Sequence, residues 1–80
     1  MVPRPKEVTP LTGYKLKVTF DNGETRLFDM SPLLELPCYQ RLKSPAIFNT
    51  VKPHDITLEW ITGEDICPDT LYNDSYPINS

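Results

Sequence analysis

Proline is the residue that most constrains this chain, because it limits how long any helix can run. A proline inside a helix removes an amide donor and clashes with the preceding turn, and the residue before it is biased away from helical geometry. Seven of the nine prolines lie in the first 53 residues: Pro3, Pro5, Pro10, Pro32, Pro37, Pro45 and Pro53. We therefore expect only short helical segments in that part of the chain.

The segment YKLKVTFDNGETRLFDM predicts a β-hairpin. Alternate residues over 14–20 are apolar, which is the period of a half-buried strand. Asn22 and Gly23 favour a tight turn because both tolerate positive φ. Two registers are open: a two-residue loop turns Leu27 toward the core, whereas a three-residue loop with a bulge at Gly23 turns Phe28 and Arg26 inward.

The remaining elements are read from alternation, capping residues and proline positions. Residues 6–9 predict an edge strand that ends at Pro10, and residues 56–61 predict another strand. A serine before a proline is typical of a helix start, since the hydroxyl can cap free amides. Short helices are accordingly expected after Ser31-Pro32, Ser44-Pro45 and Pro68, with a turn at Gly63.

Together these elements predict an α+β fold, a small antiparallel sheet of about four strands with short helices packed on one face. We expect one domain over residues 1–80, with a core over about 6–72 and frayed ends at 1–5 and 73–80. The residues with expected structural roles are Trp60 in the core, the turn residues Asn22, Gly23 and Gly63, and Pro68 and Tyr72 in the last helix.

Charge is divided unevenly along the chain. Residues 1–54 hold all eight basic residues and five acidic ones, whereas residues 55–80 hold six acidic residues and no basic one. The net charge of −3 argues against nonspecific binding to nucleic acid, which needs many cationic contacts. We expect no membrane association and a cytoplasmic location, because no apolar run has the length of a signal peptide or a membrane span.

The residues able to bind metal or act as nucleophiles do not have the expected spacing. Four residues, Cys38, His54, Cys67 and Asp65, could supply metal ligands, but neither cysteine has a second cysteine or histidine two to four residues away, as structural zinc sites usually do, and His54 is the only histidine. A cysteine nucleophile would need His54 as a base together with a third orienting group. We therefore expect no metal, no cofactor and no catalytic residue, and reduced thiols, although a disulfide between the two cysteines stays open.

Four carboxylates form the candidate binding surface: Glu59, Glu64, Asp65 and Asp69. Each also has a structural interpretation. Asp65 and Asp69 can accept hydrogen bonds from free amides at the start of the last helix, and Glu59 can pair with Lys15, Lys17 or Arg26. Paired carboxylates are also used in acid–base catalysis, which keeps a small carboxylate-based enzyme as an alternative.

Three segments, FDNGETRLFDMSPLL, IFNTV and above all TLEWITGEDICPDTLY, resemble the bacterial family known as domain of unknown function 2442. The resemblance covers about residues 4–73. It implies a compact α+β domain similar to the N-terminal domain of larger proteins with a helix-turn-helix. It also implies two-gene cassettes with a toxin–antitoxin character, and it transfers no catalytic residue.

The leading functional hypothesis is a noncatalytic interaction module whose acidic C-terminal surface binds a basic protein partner. An accessory domain of a transcriptional regulator is the alternative, acting through another protein because a basic recognition helix is lacking. A homodimer is also open, since a small core and an exposed edge strand favour association.

Overall fold

The computed structural model describes residues 2–78 and contains six strands and four short helical segments. The strands are β1 (Pro5–Leu11), β2 (Lys15–Phe20), β3 (Thr25–Asp29), β4 (Lys52–His54), β5 (Thr57–Glu59) and β6 (Tyr76–Pro77). Two 3₁₀ helices span Leu33–Glu35 and Pro37–Lys43, and two α-helices follow, α1 (Pro45–Phe48) and α2 (Pro68–Asn73). No helical segment in the described part of the chain is long and apolar enough to cross a membrane.

The strands form two antiparallel sheets. The larger sheet has the order β1-β2-β3-β6, and β4 pairs with β5 in a separate hairpin. This arrangement confirms the predicted α+β class with a four-stranded antiparallel sheet. The strand predicted around Leu58 lies in the second sheet, because its partner is the short segment Lys52–His54, which the sequence pattern did not reveal.

The predicted β2–β3 hairpin is present, and its register is that of the three-residue loop. Gly23 N–H donates to the Phe20 carbonyl at 3.0 Å, and Phe20 N–H donates to the Glu24 carbonyl at 2.8 Å. The φ of Gly23 is +91°, as the bulge position requires. Phe28 is buried as a result, and Leu27 lies on the outer face opposite Tyr76 of β6.

A second turn repeats this design at Trp60–Glu64. Gly63 N–H donates to the Trp60 carbonyl, Trp60 N–H donates to the Glu64 carbonyl, both at 2.9 Å, and the φ of Gly63 is +96°. The Thr62 hydroxyl donates to the Glu64 carboxylate, as Asn22 Nδ2 does to Glu24 at 2.6 Å. Segments FDNGE and WITGE therefore form the same turn at two places in the fold.

One hydrophobic core joins the two sheets and the helices. Trp60 is 1% exposed, and its indole N–H donates to the Phe48 carbonyl at 2.9 Å. The other buried apolar side chains come from every layer of the fold: Leu16, Val18, Phe20, Phe28, Met30, Leu34, Leu42, Phe48, Val51, Leu58, Ile66 and Leu71.

The segment from α2 to β6 is held to the larger sheet by a polar cluster of five residues, which we call the Arg26 cluster: Asn22, Glu24, Arg26, Tyr72 and Ser75. The Arg26 guanidinium donates to the Ser75 hydroxyl and carbonyl, both at 2.7 Å, and to the Glu24 carboxylate at 3.0 Å. It also lies 4.5 Å from the centre of the Tyr72 ring, whose hydroxyl donates to Glu24. Each guanidinium nitrogen of the inward-facing Arg26 therefore has a hydrogen-bond partner.

The predicted pairing of Glu59 with Lys15, Lys17 or Arg26 is wrong, because Arg26 binds Glu24 and the cross-strand neighbour of Glu59 is Lys52. The side-chain caps are also wrong. Ser44 precedes α1 without a side-chain cap. The cap position of α2 belongs to Cys67 rather than to Asp65 or Asp69.

The described residues beyond 72 continue to pack and pair with the rest of the fold. Ser75 is buried, and β6 pairs with β3. At the other end, Asp21 N–H donates to the Arg4 carbonyl at 2.8 Å, and Arg4 N–H donates to the Asp21 carboxylate at 3.3 Å. The expected fraying at residue 1 and residues 79–80 lies outside the described residues.

Candidate functional site

Two neighbouring hollows form a groove on the surface, which we call the Ile56 groove. Their volumes are about 400 and 380 Å³, and Ile56 and Pro68 line both. Ile56 is 45% exposed, so an apolar side chain stands between the two hollows. The first hollow is also lined by Tyr39, His54, Asp55, Thr57, Asp65, Ile66 and Cys67, and the second by Val2, Arg4 and Asp69.

Tertiary hydrogen bonds position the walls of the first hollow. The tight β4–β5 turn, in which Asp55 has a φ of 52°, presents Ile56 at its tip. The Thr57 hydroxyl donates to the Ile66 carbonyl, and the Tyr39 hydroxyl donates to the Asp65 carbonyl at 2.7 Å. Partial burial raises the pKa of Tyr39. The second 3₁₀ helix, the β4–β5 hairpin and the segment before α2 are thus joined at this place.

The structure gives the four predicted carboxylates different surroundings. Asp65 and Asp69 line the two hollows of the groove. Glu59 lies opposite Asp65 in an isolated bridge, where side chains on paired residues share one face. The Glu64 carboxylate accepts a hydrogen bond from the Thr62 hydroxyl within the turn. Glu64 therefore lies at the edge of the candidate binding surface.

The charges around the groove are mixed but predominantly acidic. Asp55, Asp65 and Asp69 are exposed carboxylates of its walls. Among residues 2–78, Arg4 is the one arginine or lysine that lines it. Beside the groove, Lys52 of β4 lies opposite Glu59 of β5 and offsets part of the negative charge there.

Cys67 and His54 line the same hollow, which sequence spacing did not reveal. Cys67 precedes the first turn of α2, and hydrogen bonds from the backbone N–H groups of Thr70 and Asp69 lower the pKa of its thiol. Both Cys67 and Cys38 are exposed free thiols. The pairing of β4 with β5 brings His54 to this place, and the only available sequence signal was the short Lys52–His54 segment before the Ile56 strand.

The geometry of the groove suits binding better than ligation of a metal. Over residues 2–78, no three side chains of histidine, cysteine, aspartate or glutamate converge closely enough to hold a metal ion. The groove instead offers an exposed apolar ridge with carboxylates around it. Apolar area with a polar rim is the usual composition of a protein-binding surface.

Comparison with known proteins identifies the family. A search of curated proteins and a search of solved structures each gave no match. The family model described as "Protein of unknown function (DUF2442)" matches residues 5–77, a range that includes both turns, the core and all of the Ile56 groove except Val2 and Arg4. The chain therefore belongs to the DUF2442 family.

Proposed function

We propose that this protein is a noncatalytic interaction module that binds a basic segment of a protein partner in the Ile56 groove. The supporting observation is the exposed Ile56 ridge between two hollows whose walls include Asp55, Asp65 and Asp69. An apolar contact at the ridge supplies affinity by burying area. The carboxylates favour a cationic partner and speed its approach.

A peptide titration followed by NMR tests whether the groove has this preference. The probe is a capped Lys-Leu-Lys-Leu peptide, and the matched control is Glu-Leu-Glu-Leu. We expect the lysine peptide to shift the backbone amides of Ile56, Asp65 and Asp69, with smaller shifts as salt is added, because screening weakens contacts between exposed charges. Equal shifts with both peptides, or shifts centred elsewhere, would contradict the proposal.

Charge reversal tests the groove against the native partner. The double variant Asp65→Lys/Asp69→Lys removes two of the carboxylates, and Glu35→Lys makes a single charge change at an exposed residue of the first 3₁₀ helix. In affinity capture from the host's lysate, the partner is retained by wild type and Glu35→Lys and lost with the double variant. With the purified partner, we expect the double variant to weaken binding by roughly tenfold or more. Unchanged affinity would show that the groove is not the contact.

We further propose that the complex is cytoplasmic and that the partner is encoded beside this chain, as in toxin–antitoxin pairs. The support is the two-gene arrangement that the family resemblance implies. Co-expression with the adjacent reading frame tests it: the two products should copurify, and Asp65→Lys/Asp69→Lys should separate them. Failure to copurify would remove the neighbouring gene product as the partner, while the peptide titration would still report on the groove.

A further inference from the structure

Ile61 is exposed to an extent that folding does not explain. Its side chain is 75% exposed, more than any other large hydrophobic in the described part of the chain. The matching position of the FDNGE turn holds Asp21, whose carboxylate accepts a hydrogen bond from Arg4 N–H at 3.3 Å. The two turns have the same backbone hydrogen bonds, so an aspartate is compatible with this turn. The isoleucine therefore suits a contact outside the folded chain.

A third hollow, which we call the Tyr14 hollow, lies close to Ile61. The backbone N–H of Ile61 donates to the Thr50 hydroxyl at 3.1 Å, and the preceding residue, Asn49, lines the hollow. The hollow has a volume of about 360 Å³. Its apolar lining includes Pro10, Leu11, Tyr14, Pro45 and Phe48.

The charges beside the two features are opposite. Glu64 lies in the same turn as Ile61, with its carboxylate bound to Thr62. At the Tyr14 hollow, the Tyr14 hydroxyl donates to the carbonyl of Lys43, a residue whose side chain is exposed. The Ile61 turn thus carries a carboxylate, and the backbone of an exposed lysine adjoins the Tyr14 hollow.

We propose that a second copy of this chain docks on this surface, with Ile61 of each copy in the Tyr14 hollow of the other. A projection and a complementary hollow that adjoin each other on one chain are what a two-fold symmetric interface requires, since each copy supplies both. Glu64 of one copy then faces Lys43 of the other. No described residue that lines the Tyr14 hollow also lines the Ile56 groove.

Sedimentation velocity from about 5 µM to about 1 mM protein tests the dimer. Wild type should pass from monomer to dimer over this range. Ile61→Asp should weaken the dimer by about a hundredfold, because a symmetric interface loses the buried side chain twice, at roughly tenfold each. The control Leu36→Asp, at an exposed leucine outside the proposed interface, should dimerise like wild type.

A mixing experiment tests the symmetric arrangement itself. Thr12→Arg places a long side chain at the exposed rim of the Tyr14 hollow and should block it, so that this variant alone is monomeric. A mixture of the two variants should form a heterodimer. The intact Ile61 of the Thr12→Arg chain enters the open hollow of the Ile61→Asp chain, and the new arginine meets the new aspartate. A monomeric wild type at the highest concentration, an Ile61→Asp variant that dimerises normally, or a mixture that stays monomeric would each overturn the proposal.

Discussion

At the scale of single residues, the two cysteines provide a matched pair. Both are exposed free thiols, and the backbone N–H groups of Thr70 and Asp69 beside Cys67 lower the pKa of its thiol. The thiolate is the nucleophile. We therefore predict that iodoacetamide alkylates Cys67 several-fold faster than Cys38 near pH 7, measured by peptide mass spectrometry over time.

Thr70 supplies the control for this difference, because its hydroxyl also contributes to lowering the pKa of Cys67. Thr70→Val keeps the backbone N–H and removes the hydroxyl. The rate at Cys67 should fall toward that of Cys38 without reaching it. Equal rates for the two cysteines in wild type would show that the hydrogen bonds at the start of α2 do not activate the thiol.

Trp60 is the residue whose replacement should lower the free energy of unfolding most. Its ring is buried between the β5 strand and α1, and its indole N–H is satisfied by the Phe48 carbonyl. We predict that Trp60→Ala lowers the free energy of unfolding by about 3–5 kcal/mol. Trp60→Phe should cost less, since it keeps most of the packing but leaves the carbonyl without this donor. A loss below about 1 kcal/mol for Trp60→Ala, measured by urea denaturation, would contradict the burial.

At the scale of elements, the β2–β3 hairpin shows what sequence alone decides. Alternating apolar residues and the Asn22-Gly23 pair identified both strands and the turn. The register, however, depended on whether an inward-facing Arg26 could find hydrogen-bond partners. Its partners include Ser75, 49 residues away, and a local pattern does not report such a contact. The same limit applies to β4, whose three residues pair only with β5 and which contains Pro53.

Proline also marks the edges of the sheets, in addition to limiting helix length. The edge strands β1, β4 and β6 contain Pro5 and Pro10, Pro53 and Pro77, respectively, whereas the central strands β2 and β3 and the short edge strand β5 contain none. A proline lacks the N–H that an added strand would need, so it is tolerated at edges and discourages further pairing there. This placement favours association through side chains, as at Ile61, over pairing of exposed edges.

The two matching turns allow a prediction about glycine. Gly23 and Gly63 have φ values of +91° and +96°, and an added Cβ would meet no atom within 4 Å at either. The cost of Ala is therefore conformational, and we expect Gly23→Ala and Gly63→Ala each to destabilise the protein by about 1–2 kcal/mol. Asn, which tolerates this region better, should cost less at both positions. A neutral Gly63→Ala in thermal unfolding would show that the turn relaxes to another geometry.

At the scale of the whole molecule, the candidate site comes from contacts between distant segments. The sequence predicted Asp65 and Asp69 as surface carboxylates, and both line the Ile56 groove. It did not predict that Tyr39, His54 and Cys67 would share a wall with Asp65, because the β4–β5 pairing and the Tyr39 hydrogen bond to Asp65 bring these segments together. Local patterns indicated the elements, and tertiary contacts assembled the groove.

The Arg26 cluster joins the β2–β3 hairpin to the segment from α2 to β6, and its charge state should govern stability in acid. Hydrogen bonds from Tyr72, then Asn22 and Arg26, lower the pKa of Glu24 in the folded protein. A carboxylate with a lowered pKa stabilises the fold above its unfolded pKa of about 4.3, and this contribution is lost as pH falls through the folded pKa.

Glu24→Gln should therefore reduce the unfolding free energy at pH 7 and flatten its decline below about pH 4.5. Urea denaturation from pH 7 to pH 3 measures this, with Glu35→Gln as the control at an exposed position. Parallel pH profiles for wild type and Glu24→Gln would show that ionised Glu24 does not hold α2 and β6 to the sheet.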